Sequence, residues 1–327
     1  LVSRKLVVES LRVLGAGPCM IAWIQSYLSN RFQYIQINKE KSEMWSIEVG
    51  VIQGGILSPD LYNIATATQP FWCKNLSTSM TYADDGGHVV ADLTSEGCQE
   101  KAELVCDRMA LWYDKVGLTM NAKKTEVMCF GFDRDFRGIT VKDVLIKPST
   151  TIKFLGVKID CDLGSKSQAK HVADKVRYAA ANIRKQSAGT NLKERVILYN
   201  GWIKGVVMSN GLAYLPCLNN DQLIEIQRAM NAGIRAILRK PKYGHIPISS
   251  YREKLGMESV EAIRDKIVTF EAWKQRETFL ERQSTEGMQT RARKNLKLVA
   301  PDQRGWIGKK VMCFGFDRDF RGITVKD

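Results

Sequence analysis

Apolar and polar positions in the first 160 residues follow two periods, one typical of helices and one typical of strands. Apolar residues that recur every three or four positions predict helices, and alternating runs predict strands. The predicted helices cover residues 3–13, 19–28, 60–72 and 94–116. The predicted strands cover residues 32–37, 44–51, 125–131, 138–147 and 151–159, with a hairpin over 79–91. This half of the chain is therefore expected to be α+β, with antiparallel strands.

Beyond residue 160 the pattern becomes helical, with helices predicted over 166–186, 192–213, 221–239 and 258–283. Ser165 with Gln168, and Asn191 with Glu194, have the spacing of capping boxes before the first two of these helices. The helix at 221–239 has an apolar stripe that is expected to face the core: Leu223, Ile226, Met230, Ile234 and Ile237. Three arginines lie off this stripe and form either a binding face or a solvated surface: Arg228, Arg235 and Arg239.

One segment occurs twice without a change. Residues 127–143 and 311–327 both read VMCFGFDRDFRGITVKD. Two occurrences in unequal surroundings are not typical of a solenoid, whose repeats stack on one another. The first copy has predicted strands as neighbours, whereas the second is expected to be poorly packed. The chain is thus predicted to have three parts: residues 1–160, residues 161–283, and a basic, weakly ordered tail over 284–327.

Charge is distributed unevenly between the two halves. Residues 1–160 carry 18 basic and 18 acidic side chains, so the whole net charge of +14 lies in residues 161–327. Such an excess indicates a surface that binds nucleic acid, or a basic helical surface without a partner. The eight cysteines show no zinc-binding or disulfide spacing, which favours a reducing compartment. No apolar run reaches 18 residues, so no membrane span is expected.

The candidate chemistry is at Tyr82-Ala83-Asp84-Asp85, where two adjacent acids stand at the predicted hairpin turn. Adjacent acids in a turn are most often only solvated, since Asp accepts turn geometry easily. Carboxylate pairs also bind hard cations such as Mg²⁺, which keeps positions for water and phosphate oxygens. The surrounding motifs decide between these interpretations.

Four motifs occur in order: GVIQGGILSP at 50–59, YADD at 82–85, GLTMNAKKTEVMCFG at 117–131 and FLGVKID at 154–160. In this order and spacing they resemble the reverse transcriptase domain of non-LTR, LINE-like retrotransposons. Residues 23–43 are similar to the segment that precedes the Gln-Gly motif, and residues 198–216 to the thumb. The resemblance covers about residues 1–265. It implies an incomplete right-hand polymerase palm with an antiparallel sheet and helices, followed by an all-α thumb-like region.

The resemblance also implies roles for individual residues. Asp84 and Asp85 would be the catalytic, metal-binding pair, and Lys124 would lie near the triphosphate, where a cation neutralises leaving pyrophosphate. The residues expected to contact nucleotide, template or primer are Tyr82, Ala83, Gln53, Gly54, Phe154, Leu155 and Gly156. Ser58 and Pro59 would begin the helix after the Gln-Gly motif, with the serine as its cap.

The implied partners are an RNA template, a DNA primer, deoxynucleotides and two Mg²⁺ ions, with no membrane. The element's own RNA would join the protein in a ribonucleoprotein. The implied location is intracellular, in a cytoplasmic ribonucleoprotein and in the nucleus.

The sequence also departs from the family. Ile52 stands where the family usually has proline. The family's other metal-binding aspartate lies on a palm strand before the Gln-Gly motif, and that segment would end just before Leu1. Phe132-Asp133 and Phe316-Asp317 look similar but follow the other motifs, in the wrong order.

Two hypotheses follow from these departures. The chain is either an RNA-directed DNA polymerase domain truncated at its N-terminus and inactive alone, or a non-catalytic remnant that binds RNA through its basic half.

Overall fold

The computed structural model describes residues 2–130, 136–241, 246–286 and 310–316, with 276–286 and 310–316 described by their backbone alone. These residues divide into two compact units. The first contains residues up to 149 together with 310–316, and the second contains residues from 150 to 286. In the sequence, the division between the two units falls between residues 149 and 150, whereas the predicted boundary is at residue 160. The stretch 287–309, which holds most of the predicted tail, lies outside the described residues.

The first unit combines helices with short antiparallel strands, as the α+β prediction requires. Its helices are α1 (Arg4–Val13), α2 (Pro18–Leu28), α3 (Ser58–Thr66) and α4 (Ser95–Lys115). Its strands before residue 150 are β1 (Arg31–Gln33), β2 (Gln36–Ile37), β3 (Glu40–Lys41), β4 (Trp45–Ile47), β5 (Thr78–Tyr82), β6 (Asp85–Asp92), β7 (Glu126–Phe130), β8 (Ile139–Val141) and β9 (Val144–Ile146). Short 3₁₀ helices cover Gln69–Cys73 and Ala122–Lys124.

The second unit is helical apart from one hairpin, β10 (Thr151–Phe154) and β11 (Val157–Asp160). Its α-helices are α5 (Lys166–Gln186), α6 (Leu192–Leu198), α7 (Gly205–Met208), α8 (Gly211–Tyr214), α9 (Asn220–Ile237), α10 (Ile248–Lys254) and α11 (Val260–Glu286). A π-helix over Tyr199–Lys204 joins α6 to α7, so the single helix predicted over 192–213 is interrupted. Among the helices of the described residues, none is long and apolar enough to cross a membrane.

The last described strand, β12 (Lys310–Phe316), lies inside the sheet of the first unit. The four strands run in the order β5-β6-β12-β7, and every neighbouring pair is antiparallel. The expectation that the second copy of the duplicated segment packs poorly is wrong for these residues. The strand needs long-range pairing on both sides, which a local sequence pattern does not reveal.

The core of the first unit forms between α4 and the strands. Trp112, Tyr113 and Met109 of α4 are almost completely buried, and they cluster with Val90 of β6 and Val127 of β7. Trp112 and Tyr113 keep their polar atoms satisfied, because Trp112 Nε1 donates to Thr68 Oγ1 at 3.1 Å and Gln69 Nε2 donates to the Tyr113 hydroxyl at 3.3 Å. Burying large aromatic side chains in this way fixes α4 against the sheet.

The core of the second unit is built by α5 and α9. The predicted stripe of α9 is buried along its whole length, from Leu223 to Ile237, and packs with alanines and branched residues of α5. Arg239, just beyond the stripe, donates to the Ser187 carbonyl oxygen at the end of α5, so one of the three arginines has a structural contact. Arg228 remains exposed.

The two predicted capping boxes have different outcomes. Asn191 and Glu194 form a complete box before α6, as predicted, and Asn219 with Gln222 forms another before α9. Ser165 does not cap α5, because its backbone is left-handed with φ of 55° and its side chain makes no cap hydrogen bond. Gln168 instead accepts a hydrogen bond from the Lys158 backbone N–H at 2.8 Å.

Candidate functional site

The hairpin of β5 and β6 presents Asp84 and Asp85 at its turn. Tyr82 pairs with Asp85, which leaves Ala83 and Asp84 as the two turn residues. Ala83 has φ of 50°, a left-handed conformation that costs a residue with a Cβ about 1 kcal/mol or more. Both carboxylates are half-buried, and the Tyr82 side chain is exposed. The predicted pair therefore sits together on a tight, well-defined turn.

Lys124 lies at the same end of the sheet as this turn. Register aligns Gly87 of β6 with Gly315 of β12, and Gly315 with Glu126 of β7. Asp85 lies two residues before Gly87, and Lys124 lies two residues before Glu126. In both cases this direction along the chain leads to the end of the sheet that carries the turn. The backbones of β6 and β7 are two strand spacings apart, roughly 10 Å. Lys124 is exposed and is the last residue of the short 3₁₀ helix that precedes β7.

A buried histidine supports the hairpin from within. His88 on β6 is almost inaccessible, and its Nδ1 lies 3.1 Å from Ser77 Oγ and 3.0 Å from Ser79 Oγ. Burial lowers the pKa of His88 to about 4, so the ring is neutral at neutral pH. The sequence analysis missed this residue, although a lone polar residue inside the apolar run from Gly86 to Val90 was the available signal.

Gln53 and Gly54 lie in an exposed turn before α3. Gly54 has φ of 79°, and a Cβ there would meet no atom within 4 Å, so the glycine is required by backbone geometry and its open side faces solvent. Ser58 is not the helix cap that the sequence predicted. It is the first residue of α3, and its hydroxyl donates to the Ile52 carbonyl oxygen, which closes the turn.

Phe154, Leu155 and Gly156 lie in the second unit, at the turn between β10 and β11. Leu155 and Gly156 both have positive φ, 47° and 85°, as a tight two-residue hairpin turn requires. Asn210 Nδ2 donates to the Leu155 carbonyl oxygen at 2.9 Å and holds the turn from the opposite side. The predicted primer-contacting turn is thus built as a hairpin within the second unit, separate from the unit that carries the acids.

Asp160 is the last residue of β11 and contacts the start of α5. Its carboxylate accepts hydrogen bonds from the Thr151 hydroxyl at 2.8 Å and the Ser167 backbone N–H at 2.9 Å. Burial by itself would raise the pKa of Asp160, but the hydrogen bonds from Ser167 and Thr151 outweigh it and lower the pKa. Asp160 therefore caps the start of α5, the role that the sequence analysis predicted for Ser165.

The chemistry of Asp84 and Asp85 fits a hard divalent cation, since two adjacent, half-buried acids at a tight turn offer oxygen ligands. Within the described part of the chain, no group of three or more His, Cys, Asp or Glu side chains is close enough to hold a metal ion. The described residues thus supply two ligands of such a site. Asp133 and Asp317, the two aspartates that follow a phenylalanine, lie outside the described residues.

Comparison with known proteins finds similarity to reverse transcriptases. Residues 7–159 match the family described as "Reverse transcriptase (RNA-dependent DNA polymerase)". The chain is 31% identical over 160 residues to an "RNA-directed DNA polymerase from mobile element jockey" of Drosophila funebris, a match that covers 45% of this chain and 17% of that protein.

A second relative extends the similarity further along the chain. A "Probable RNA-directed DNA polymerase from transposon BS" of Drosophila melanogaster is 24% identical over 244 residues, which is 67% of this chain and 26% of that protein. The chain thus spans about a quarter or less of the length of these curated relatives. Residues 7–159, which match the family, contain both the acidic hairpin and the turn before α3.

Proposed function

We propose that this chain is the palm and thumb part of an RNA-directed DNA polymerase. Its residues 7–159 belong to the reverse transcriptase family of non-LTR retrotransposons. The observation that supports this function is the tight β5–β6 turn, which presents Asp84 and Asp85 together at the sheet end that also carries Lys124. Reverse transcriptases generally depend on a metal ion.

Asp84 and Asp85 would hold Mg²⁺, with Asp84 at the turn as the more direct ligand. When bound, paired Mg²⁺ ions stabilise charge on the attacking and leaving oxygens of phosphoryl transfer. Lys124 would neutralise the leaving pyrophosphate from the neighbouring strand. Tyr82 and Ala83 would support the primer end and the incoming nucleotide. These residues bind and orient, so no covalent intermediate with the protein is needed.

Two exposed turns would contact the nucleic acid. Gln53 and Gly54 would line the template–nucleotide pocket, since the open side of Gly54 lets a base or sugar approach the backbone. Phe154, Leu155 and Gly156 would grip the primer backbone. The proposed activity uses an RNA template and a DNA target, so its proposed location is a cytoplasmic ribonucleoprotein and the nucleus. The element's own RNA would be part of that ribonucleoprotein.

We further propose that this chain extends primers weakly or not at all by itself, because its described residues offer two carboxylates where the family uses a further aspartate. The alternative function is RNA binding without catalysis. It is favoured by the net charge of +14, which lies wholly in residues 161–327. Such binding would weaken steeply as salt rises, since it releases counterions from phosphates.

Primer extension on an RNA template with Mg²⁺ tests the proposal. The chain should be compared with a version that includes upstream sequence, and with Asp84→Asn and Asp85→Asn. Asp143→Asn is the matched control, since Asp143 is an exposed acid at the turn of the β8–β9 hairpin in the same unit. Extension by the longer version is expected to be lost in both site variants and kept in the control.

A readout besides activity separates metal binding from catalysis. Electron paramagnetic resonance of Mn²⁺ added to the isolated chain is expected to show weak binding that Asp84→Asn and Asp85→Asn abolish. Extension that survives both substitutions would overturn the site assignment. Full extension by this chain alone, lost in the variants, would refute the proposed weak activity and keep the site.

A further inference from the structure

Helix α2 presents an exposed indole that is stacked on a second aromatic ring. The ring centroids of Trp23 and Tyr27 are 5.8 Å apart and the ring planes differ by 15°, so the two rings are stacked one helical turn apart. Stacking uses one face of the indole, and 56% of Trp23 remains exposed. A single exposed apolar residue is ordinary. A ring held flat by a second ring, however, is a preformed surface for a third.

Tyr27 is itself fixed by two further contacts. The Arg31 guanidinium lies 5.0 Å from the Tyr27 ring centroid, and Arg31 Nε donates to the Tyr27 carbonyl oxygen at 2.7 Å. A Cβ at Gly55 would lie 2.7 Å from the Tyr27 hydroxyl oxygen, so the hydroxyl occupies the space that a side chain at residue 55 would take. Gly55 directly follows Gln53 and Gly54. The stack therefore begins beside the turn that precedes α3.

Helix α2 also borders a cationic groove, on the side that carries Gln25 and Ser29 rather than Trp23. The groove lies between α1 and α2 and has a volume of about 420 Å³. Its charged lining comes from α1: Arg4, Lys5, Glu9 and Arg12. Burial and the nearby Arg31 guanidinium lower the pKa of Arg4, so the cation that covers Tyr27 is within electrostatic range of the groove.

The charge of this part of the first unit differs from that of the rest. Residues 4–31 carry four basic side chains and one acidic side chain, a net charge of +3, whereas residues 32–160 carry 14 basic and 17 acidic side chains. Single-stranded nucleic acid is bound by this combination of a positive groove for phosphates and aromatic rings for bases. An apolar protein segment would match the rings but would leave the cations of the groove without counter-charges.

We propose that α2 and the cationic groove bind the single-stranded RNA template, with Trp23 as a base-stacking residue. A template base stacks on the open face of Trp23, while the cations of the groove contact phosphates of the same strand. Tyr27 and Arg31 are positioning residues, because they hold the indole in place. This inference rests on the proposed polymerase function, since the Tyr27 hydroxyl connects the stack to the turn proposed for the template–nucleotide pocket.

Photo-cross-linking tests where the strand lies. A short single-stranded RNA in which every uridine is 5-iodouridine is bound to the full chain without Mg²⁺ and irradiated. An adduct on Trp23 is expected in peptide mass mapping, because this base reacts with aromatic rings on which it stacks. The same RNA in a blunt duplex is the matched control, since its bases stack on one another. Bound single-stranded RNA without an adduct on Trp23, equal labelling by the duplex, or no RNA binding would overturn the proposal.

Binding affinity separates stacking from charge. Trp23→Ala should weaken binding of the same RNA by about fivefold or more, the loss expected for one stacked base, and Trp23→Phe should restore most of it. The slope of log affinity against log salt should be unchanged in Trp23→Ala and shallower by about 0.7 in Arg12→Ala, since only the arginine releases a counterion.

Phe71→Ala is the matched control for affinity, since Phe71 is an exposed aromatic residue of the same unit. Equal losses in Trp23→Ala and Phe71→Ala, or no loss in Trp23→Ala, would refute the stacking role.

Primer extension by the version with upstream sequence distinguishes this inference from the proposed function. Absent extension together with RNA binding that depends on Trp23 would refute the polymerase and keep the stacking site. Equal extension with and without Trp23→Ala, at template concentrations below saturation and with equal RNA affinity, would keep the polymerase and overturn the stacking site.

Discussion

The buried histidine beneath the acidic hairpin makes the first unit sensitive to mild acid. His88 is neutral in the folded protein, because burial lowers its pKa from the ordinary value of 6.5 to about 4. In the unfolded chain the ring is exposed and takes up a proton near pH 6.5. Stability is therefore fully present above pH 6.5 and is lost as pH falls toward 4, since the unfolded state binds the extra proton.

The difference between 6.5 and about 4 sets the size of the effect. At a pH below both pKa values, the loss in the free energy of unfolding is roughly 3 kcal/mol, since each pH unit between the two pKa values contributes about 1.4 kcal/mol. Between pH 7 and pH 5 the first unit should lose about 2 kcal/mol of its free energy of unfolding. The cause is burial, which makes the charged form of the ring costly inside the protein.

Hydrogen exchange followed by mass spectrometry is a suitable measurement, because it reports each unit separately. Protection in peptides that cover β5 and β6 should fall about thirtyfold between pH 7 and pH 5, after correction for intrinsic exchange rates; this is 2 kcal/mol expressed as an equilibrium constant. The same peptides in His88→Gln provide the reference, because α5 of the second unit carries His171, whose pKa is also lowered by burial.

His88→Gln removes the titrating group and should remove most of this pH dependence, whatever its cost in stability at pH 7. His171→Gln is the matched control, since His171 lies on α5 in the second unit and leaves the hairpin unchanged. Protection of β5 and β6 that is equal at pH 7 and pH 5, or that falls equally in His88→Gln, would refute the reasoning.

Two further predictions concern the second unit. Asp160→Ala leaves the Ser167 backbone N–H without its acceptor and removes the shorter contact of the Thr151 hydroxyl, so it should destabilise the unit by about 1–3 kcal/mol in urea unfolding at pH 7. It should also remove the stability that the unchanged protein loses as pH falls below the ordinary Asp value of 3.8, because the folded pKa is the lower one. Gly233→Ala would place a Cβ 2.2 Å from Ile203 Cδ1 and should cost about 1–3 kcal/mol, whereas Gly201→Ala, with open space around it, should be neutral or stabilising by up to about 1 kcal/mol; comparable losses in both glycine variants would contradict the packing argument.

Elements that depend on neighbouring residues could be predicted from the sequence. The helix predicted over 166–186 coincides with α5, and the apolar stripe of α9 is buried as its spacing indicated. The acidic hairpin follows from residues that favour strands on each side of a turn-forming acid. The Asn191–Glu194 capping box is likewise a local pattern that the structure confirms.

Features that depend on distant partners could not be predicted in this way. Ser165 has the sequence of a cap, but Asp160 takes its place because the β10–β11 hairpin brings that carboxylate to the start of α5. The π-helix from Tyr199 likewise has no signal in the apolar period. The pairing of β12 is the largest case, since a segment at residue 310 enters a sheet built from residues 78–130.

The candidate site combines a local part with a distant one. Asp84 and Asp85 are fixed by a two-residue turn, which the tetrapeptide itself specifies. The position of Lys124 relative to them is set through β12, since β7 reaches the hairpin only by way of that strand. A different register of β12 against β6 would shift β7 along the sheet by about 3.3 Å for each residue and would move Lys124 with it. The identity and register of the strand between β6 and β7 therefore determine whether Lys124 lies at the same end of the sheet as Asp84 and Asp85.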